Sequence, residues 1–155
     1  MKKILLIILC VLFMTGCGNV LVSNVTKNVK SIDDFETVAK DKGFTVNEND
    51  NTYVGVSYIL GHSKITHGES VVEMIVYDDN EKTEKVQNSH IESFDLLKTT
   101  GAQAKKEKGT NFYHYSMISN NRYMLSTRID NTLIFCKVMV EDKELVESLI
   151  NELGY

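Results

Sequence analysis

The chain contains no proline and no tryptophan, and only three of its 155 residues are cysteines. Two of these, Cys10 and Cys17, lie in the amino-terminal segment described below. Cleavage of that segment is expected to remove Cys10, and lipid is expected to be attached to Cys17. Cys136 is then alone, so no disulfide bond can form within the mature chain and a hydrophobic core must hold the fold together. Basic residues are not in excess either. The formal net charge is −4, no basic stripe is present, and no nucleic-acid partner is expected.

The amino terminus has the order of a secretory signal. Two lysines precede an unbroken apolar run over residues 4–14, which is too short for a transmembrane helix of about 20 residues. The run ends in Thr15-Gly16-Cys17, where small residues precede a cysteine, as in the lipobox of bacterial lipoproteins. Residues 1–16 are therefore predicted to be a lipoprotein signal peptide, cleaved between Gly16 and Cys17.

Cys17 is the predicted site of lipid attachment. A diacylglyceryl group on a lipoprotein cysteine supplies at least two acyl chains of the palmitate type, and two chains anchor a protein stably where one binds marginally. The predicted location is the outer face of the cytoplasmic membrane, and the predicted partner is the membrane itself. Cleavage also removes the two lysines, which leaves the mature chain more acidic than the precursor.

A single folded domain is expected after the anchor. Residues 17–30 are polar with scattered valines and lack a clear period, which is typical of a tether. Residues 31–155 have the length of one domain. This domain begins with Ser31-Ile32-Asp33-Asp34, where a hydroxyl can cap a helix and the acidic side chains suit its positive end.

The apolar pattern of the domain predicts three amphipathic helices and about six strands, in the order helix, three strands, helix, three strands, helix. The expected fold class is α+β, with one mainly antiparallel sheet and the helices packed against it. The segments 61–69 and 99–111 are interpreted as loops. Helices are expected over 31–43, 78–98 and 141–153, and strands over 44–46, 53–60, 70–77, 112–118, 123–129 and 133–139.

A weak internal duplication is one interpretation of this order. The first helix ends in Gly43-Phe44 and the last in Gly154-Tyr155. Two ordinary amphipathic helices with glycine caps would produce the same match, and the sequence leaves both interpretations open. Counted back from each glycine, the apolar positions correspond as Phe35 with Val146, Val38 with Leu149, and Ala39 with Ile150.

Two turns decide which residues share a face of the sheet. A two-residue loop at Asp130-Asn131 pairs Leu125 with Cys136, which places the cysteine in the core. The orientation of His114 depends on the preceding turn. If Asn120-Asn121 is a two-residue turn, His114 lies on the Leu125 side. A loop of odd length would put Tyr113 and Tyr115 there instead.

Several short sequences carry a resemblance to a known group of proteins. Besides the lipobox and the polar tether, these are Lys42-Gly43-Phe44, Asp130-Asn131-Thr132-Leu133 and Leu153-Gly154-Tyr155. Together they resemble small uncharacterised lipoproteins of low-GC Gram-positive bacteria, over most of the mature chain. The resemblance implies a surface lipoprotein with lipid on Cys17, and it carries over no other functional residue.

His62, His67 and Glu69 are weak candidates for a metal site. Imidazole and carboxylate groups in one loop can bind Zn²⁺ or Cu²⁺, but a structural zinc site needs four ligands and no fourth is evident. No metal or other cofactor is therefore expected. No catalytic residue can be assigned either, because the sequence has no nucleophile elbow and no phosphate-binding glycine loop.

The leading hypothesis is a non-enzymatic binding or interaction module held at the membrane by lipid. One alternative is an enzyme whose active site is assembled from distant segments, and another is a weak metal-binding loop protein. A pocket with converging polar groups would favour ligand binding or catalysis, whereas an exposed apolar patch would favour a protein partner. The sequence does not identify the ligand or the partner.

Overall fold

The computed structural model describes residues 20–48 and 50–155. The predicted signal peptide and the lipid-attachment residue Cys17 lie outside the described residues. The described part of the chain forms one eight-stranded sheet with three α-helices. None of these helices is long and apolar enough to cross a bilayer. The strands are β1 (Val20–Val22), β2 (Thr45–Val46), β3 (Ile59–His67), β4 (Ser70–Tyr77), β5 (Gln103–Lys108), β6 (Phe112–Ser119), β7 (Arg122–Ile129) and β8 (Thr132–Met139), and the helices are α1 (Ile32–Asp41), α2 (Asn80–Asp95) and α3 (Lys143–Leu153), the last preceded by a 3-10 turn at Val140–Asp142.

The sheet is built from two meanders that meet in its centre. Its strand order is β1-β5-β6-β7-β8-β4-β3-β2. All neighbouring strands are antiparallel except β1, which pairs parallel to β5. Helix α2 connects the meander β2–β4 to the meander β5–β8, and β4 then pairs with β8. The expected α+β class is confirmed.

The expectation of about six strands in an antiparallel sheet is wrong, because β1 and β5 are additional strands and the sheet is mixed. Strand β5 lies within the segment interpreted as a loop. Its sequence, Gln-Ala-Lys-Lys-Glu-Lys, has no apolar alternation from which a strand could be predicted. Strand β1 has only three residues, and it lies within the segment interpreted as a tether. Strand β1 owes its formation to pairing with β5, which is distant in the sequence, and β5 owes its formation to pairing with the adjacent strand β6.

The strand expected over 53–60 and the loop expected over 61–69 are also wrong. Residues 52–58 form turns, and β3 covers Ile59–His67. One face of β3 is polar and carries His62 and Lys64, whereas Ile65 on the other face is fully buried. The polar face obscures the strand pattern, and the pairing with β4 establishes the strand.

Two separate cores lie on the two faces of the sheet. Helices α1 and α3 pack side by side on one face, where Phe35 and Leu149 are fully buried among the side chains of β3, β4, β7 and β8. Helix α2 covers the opposite face with Phe94 against Tyr115 and with Val86 beside Leu133. The molecule therefore has three layers, with the sheet in the middle.

The predicted caps of α1 and α3 are confirmed. Ser31 accepts a hydrogen bond from the backbone N–H of Asp34, whose carboxylate in turn accepts from the backbone N–H of Ser31. Gly43 and Gly154 follow the two helices with φ of 85° and 82°, a conformation that glycine adopts without steric cost. The similar ends suit a duplicated sequence and two ordinary helices equally, so the duplication stays a prediction.

The predicted register of the last hairpin is confirmed, because Leu125 pairs with Cys136. Asn120 and Asn121 form the two-residue turn between β6 and β7, with φ of 49° and 58°. This turn decides the question that the sequence left open. His114 lies on the Leu125 side, which is the side of α1 and α3, while Tyr115 points to α2.

Candidate functional site

A concave surface lined by both polar and apolar groups lies where α3 ends its coverage of the sheet. Strands β5 and β6 extend beyond the helix. Apart from Phe112 and Ile118, their side chains on this face are polar, with Lys105 paired opposite Ser116 and Glu107 opposite His114. We call the resulting surface the trough. Its volume is about 310 Å³, at the lower end of the range for small-molecule sites. Its polar lining residues are Gln103, Lys105, Ser116, Tyr123, Lys143 and Glu147, and Ala104, Met117 and Ile118 complete the lining.

His114 lies beside the trough, two residues before Ser116 on the same face of β6. Its Nε2 atom is 3.4 Å from the Ser116 hydroxyl oxygen. Burial, together with the positive charges of Lys105 and Lys27, lowers the pKa of His114 to about 4, although the charge of Glu147 opposes this shift. The imidazole is therefore neutral at pH 7, and it presents a hydrogen-bonding ring without a charge.

Tyr123 forms the inner wall of the trough. Its ring is buried, and burial followed by the nearby charge of Glu147 raises the pKa of the hydroxyl well above its usual value. The Lys143 Nζ atom donates a 2.5 Å hydrogen bond to Glu147 and lies 5.8 Å from the centre of the Tyr123 ring. The phenol keeps its proton at neutral pH, so it can donate a hydrogen bond into the trough.

Lys105 brings an uncompensated positive charge to this surface. Its side chain is exposed, and within the described residues it takes part in no ion pair. The charge of Lys143, by contrast, is matched by Glu147. An ammonium group beside a serine hydroxyl and a tyrosine hydroxyl offers the donors that a carboxylate or phosphate group accepts.

The contact between His114 and Ser116 does not make a nucleophile with its base. Both residues lie in the middle of β6, whose backbone N–H groups are used in pairing with β5 and β7, so the strand has no free pair of donors for an oxyanion. A histidine with a pKa of about 4 is also a weak base at neutral pH. The arrangement is suited to binding rather than to acyl transfer.

The structure does not bring the candidate metal ligands together. His62 and His67 lie five residues apart on β3, which places them on opposite faces and about 16 Å apart along the strand. The His62 Nε2 atom is 3.1 Å from a carboxylate oxygen of Glu73, and Glu69 lies in the turn after the strand. In residues 20–48 and 50–155, no group of three or more potential ligands converges.

A second polar cluster joins Ser70, Asp142 and His67. The Ser70 hydroxyl donates to one carboxylate oxygen of Asp142, and the His67 Nδ1 atom is 3.8 Å from the other. The carboxylate lies between the serine and the histidine, so the histidine cannot take the proton of the serine. This cluster fastens the 3-10 turn before α3 to the start of β4.

Cys136 is buried in the larger core, as the sequence predicts. Burial raises the pKa of its thiol to about 12. The group therefore stays a thiol at physiological pH, and it behaves as a small apolar side chain rather than as a nucleophile. Cys17, the predicted lipid-attachment residue, lies outside the described residues.

Sequence reasoning missed the trough. The sequence favours a loop over 99–111, where Lys105, Lys106 and Lys108 lie, and the residues of the trough come from four elements, β5, β6, β7 and α3. One signal was present in the sequence: in a strand, Lys105 and Glu107 must face away from Lys106 and Lys108. That alternation has meaning only once β5 is known to be a strand.

Comparisons with known proteins add no relative to this description. No known protein family matches the chain, and no curated protein or solved structure is significantly similar to it. The residues and their geometry alone therefore carry the functional argument.

Proposed function

We propose that this chain is a lipid-anchored binding protein of the outer face of the cytoplasmic membrane. Its trough takes a small polar ligand that bears a carboxylate or phosphate group. The observation that carries the ligand proposal is the meeting of an unpaired cation, Lys105, with the buried hydroxyl-bearing residues Ser116 and Tyr123. The lipobox at Thr15-Gly16-Cys17 supports the location, and the resemblance to small lipoproteins of low-GC Gram-positive bacteria agrees with it.

The trough combines charge attraction with partial exclusion of water. Lys105 attracts the anionic group, and the hydroxyls of Ser116 and Tyr123 lie in a wall from which water is largely excluded, where hydrogen bonds are stronger than in bulk solvent. The amide of Gln103 adds a donor and an acceptor at the rim. Neutral His114 holds the Ser116 hydroxyl in place without adding a second charge. No catalytic role is proposed for these residues.

The anchoring is tested by the substitution Cys17→Ala. The variant should remain unprocessed and carry no lipid, because the modified sulfur is absent, whereas the wild-type protein should show the mass of a diacylglyceryl cysteine at its new amino terminus. Mass spectrometry and membrane fractionation measure both properties. Unmodified Cys17 in the mature wild-type protein would refute the anchoring proposal.

The ligand class is tested by isothermal titration calorimetry, in which inorganic phosphate, citrate or an acidic amino acid is titrated into the protein. We expect at least one of these probes to bind, and Lys105→Ala to weaken its binding about 10- to 100-fold, as the loss of a charge-assisted hydrogen bond of about 1.5–3 kcal/mol implies. Lys106→Ala is the matched control, because this lysine lies next along β5 but faces α2. Equal effects of the two substitutions, or no binding by any probe, would contradict the proposal.

A further inference from the structure

We propose that the edge of the sheet formed by β1 and β5 is a membrane-docking surface, which lies on the anionic phospholipid leaflet that holds the lipid of Cys17. The inference rests on the lipid anchor proposed above. It goes beyond that proposal because it assigns an orientation and a contact surface to the folded domain. The sequence alone suggested only a spacer between the lipid anchor and this domain.

The first argument is the length of the chain before β1. Val20 follows Cys17 by three residues, and three residue steps span at most about 11 Å. Val20–Val22 pairs with β5 and belongs to the sheet, so the spacer is these few residues rather than the whole segment 17–30. A domain fastened this close to the acyl chains has its β1 edge at the level of the headgroups.

The second argument is the composition of the edge. Leu21 is 62% exposed and Val22 is 70% exposed, and β1 is the outermost strand of the sheet. Apolar side chains in this position have no protein neighbour outside the edge within the described residues. At a bilayer surface they can enter the boundary between the headgroups and the acyl chains.

The third argument is charge. The parallel register places Lys106 beside Val20 and Lys108 beside Val22, and neither lysine takes part in an ion pair of the described residues. The same register places Glu107 beside Leu21, but β5 carries three lysines against this one glutamate. The edge is therefore net positive on a chain that is acidic as a whole. Basic residues that lie beside exposed apolar residues are the composition of a surface that binds anionic lipid.

The orientation can be measured with a single fluorescent label on the lipidated protein in vesicles of phosphatidylglycerol and phosphatidylethanolamine. Cys17 is blocked by its lipid and Cys136 is buried, so an introduced cysteine is the only thiol that reacts. We expect a label at Leu21→Cys to be quenched by brominated acyl chains and shielded from iodide. A label at Val54→Cys, which is 77% exposed in the native protein, is the control and should show the reverse.

The contribution of charge can be measured without the lipid, on the mature chain with Cys17→Ser. It should sediment with phosphatidylglycerol vesicles and not with phosphatidylcholine vesicles. Lys106→Gln/Lys108→Gln should weaken this binding at least about tenfold, at roughly 1 kcal/mol for each lysine. Lys40→Gln/Lys64→Gln, which removes the same charge from α1 and β3, should change it little.

These two measurements separate this inference from the anchor itself. Lipid on Cys17 with a Leu21 label fully open to iodide would overturn the docking surface and leave the anchor intact. Equal effects of the two double substitutions would also overturn it. Shielding of Leu21 that appears in detergent and grows with protein concentration would assign the edge to a second copy of the chain instead, which contradicts the proposal.

Discussion

At the scale of single residues, two histidines show how the surroundings decide what a side chain can do. His90 and His114 both have pKa values lowered by burial. His90 lies against the ring of Phe135, at 4.3 Å between ring centres, and its Nδ1 atom has no hydrogen-bond partner within the described residues. His114 instead contacts a serine and lies near two lysines and a glutamate. His90 packs against the aromatic rings of Phe94 and Phe135, and only His114 borders the trough.

The lowered pKa of His114 predicts that the fold is sensitive to acid. An imidazole in the unfolded chain has a pKa of about 6.5, whereas the folded value is about 4. Between these values the unfolded state binds more protons, so the free energy of unfolding falls as the pH decreases through this window. The loss between pH 7 and pH 5 should be at most about 2 kcal/mol. Urea denaturation at several pH values measures it.

The matched variants for this prediction are His114→Gln and His67→Gln. The first removes the buried imidazole and should reduce the dependence of stability on pH between 4 and 6.5, while His90, whose pKa is also lowered by burial, retains part of it. The second removes a histidine whose side chain is 48% exposed, and it should leave the slope nearly unchanged. If His114→Gln has the same pH profile as the wild type, or if the His114 ring titrates near 6.5 by NMR, the assignment is wrong.

At the scale of elements, the segment before α1 is part of the fold rather than a spacer. Within the predicted tether of residues 17–30, Val20–Val22 pairs with β5 and Lys27 is hydrogen-bonded to Asn111. Asn111 clamps this segment: its side-chain oxygen accepts from the Lys27 N–H at 2.9 Å, and its amide donates to the Lys27 carbonyl oxygen at 2.9 Å. Gly109 permits the close approach, because an added Cβ would lie 2.6 Å from the carbonyl oxygen of Val25.

We expect Asn111→Ala to lower the free energy of unfolding by about 1–3 kcal/mol, since it leaves backbone groups of Lys27 without partners. The side chain of Asn111 also donates to Asp130 at 2.8 Å, so the loss affects the β7–β8 turn as well. Asn88→Ala, on the exposed side of α2, is the control and should change stability by less than about 0.5 kcal/mol. Proteolysis should cut near residues 20–30 faster in Asn111→Ala. Equal cleavage and equal stability would show that the segment is not held by this clamp.

At the scale of the whole molecule, the carboxyl terminus closes the larger core. The ring of Tyr155 is buried, and its hydroxyl meets the hydroxyl of Thr132, which donates to the Ile129 carbonyl oxygen at 2.7 Å. The last residue of the chain thus fastens α3 to the turn between the central strands β7 and β8. Because α1 packs on α3 in the same core, both helices depend on this contact.

We expect Tyr155→Ala to destabilise the protein by about 3 kcal/mol or more, because it empties the volume of a buried aromatic ring. Tyr155→Phe keeps the ring and removes only the hydroxyl, so its cost should be about 1 kcal/mol. Both variants should unfold in a single transition by circular dichroism and by tyrosine fluorescence, as one cooperative domain does. A cost below 1 kcal/mol for Tyr155→Ala would mean that the terminus is not part of the core.

Features encoded locally were predictable from the sequence. Three kinds of feature depend on residues that are close together in the sequence. These are the capping box of Ser31 and Asp34, the glycines that end α1 and α3, and the hairpin turn at Asp130-Asn131. The amphipathic helices and the strands β4, β6, β7 and β8 follow from apolar periods of 3.6 and 2. These signals were sufficient for the α+β class and for the burial of Cys136. The lipobox, on which the anchoring proposal depends, is also a local pattern, and it stays a prediction.

The number of strands, the trough and the exposed edge were decided only by the tertiary structure. Strand β5 has no apolar alternation, and it becomes a strand because β6 offers it a partner along its full length. Helix α3 covers β7 and β8 but not β5, and this partial coverage brings Lys105, Tyr123 and Glu147 together. No local sequence pattern indicates where the coverage by the helix ends. Pairing between distant segments costs chain entropy that local contacts do not repay. Such features therefore exist only when the whole sheet and its two helical layers form together.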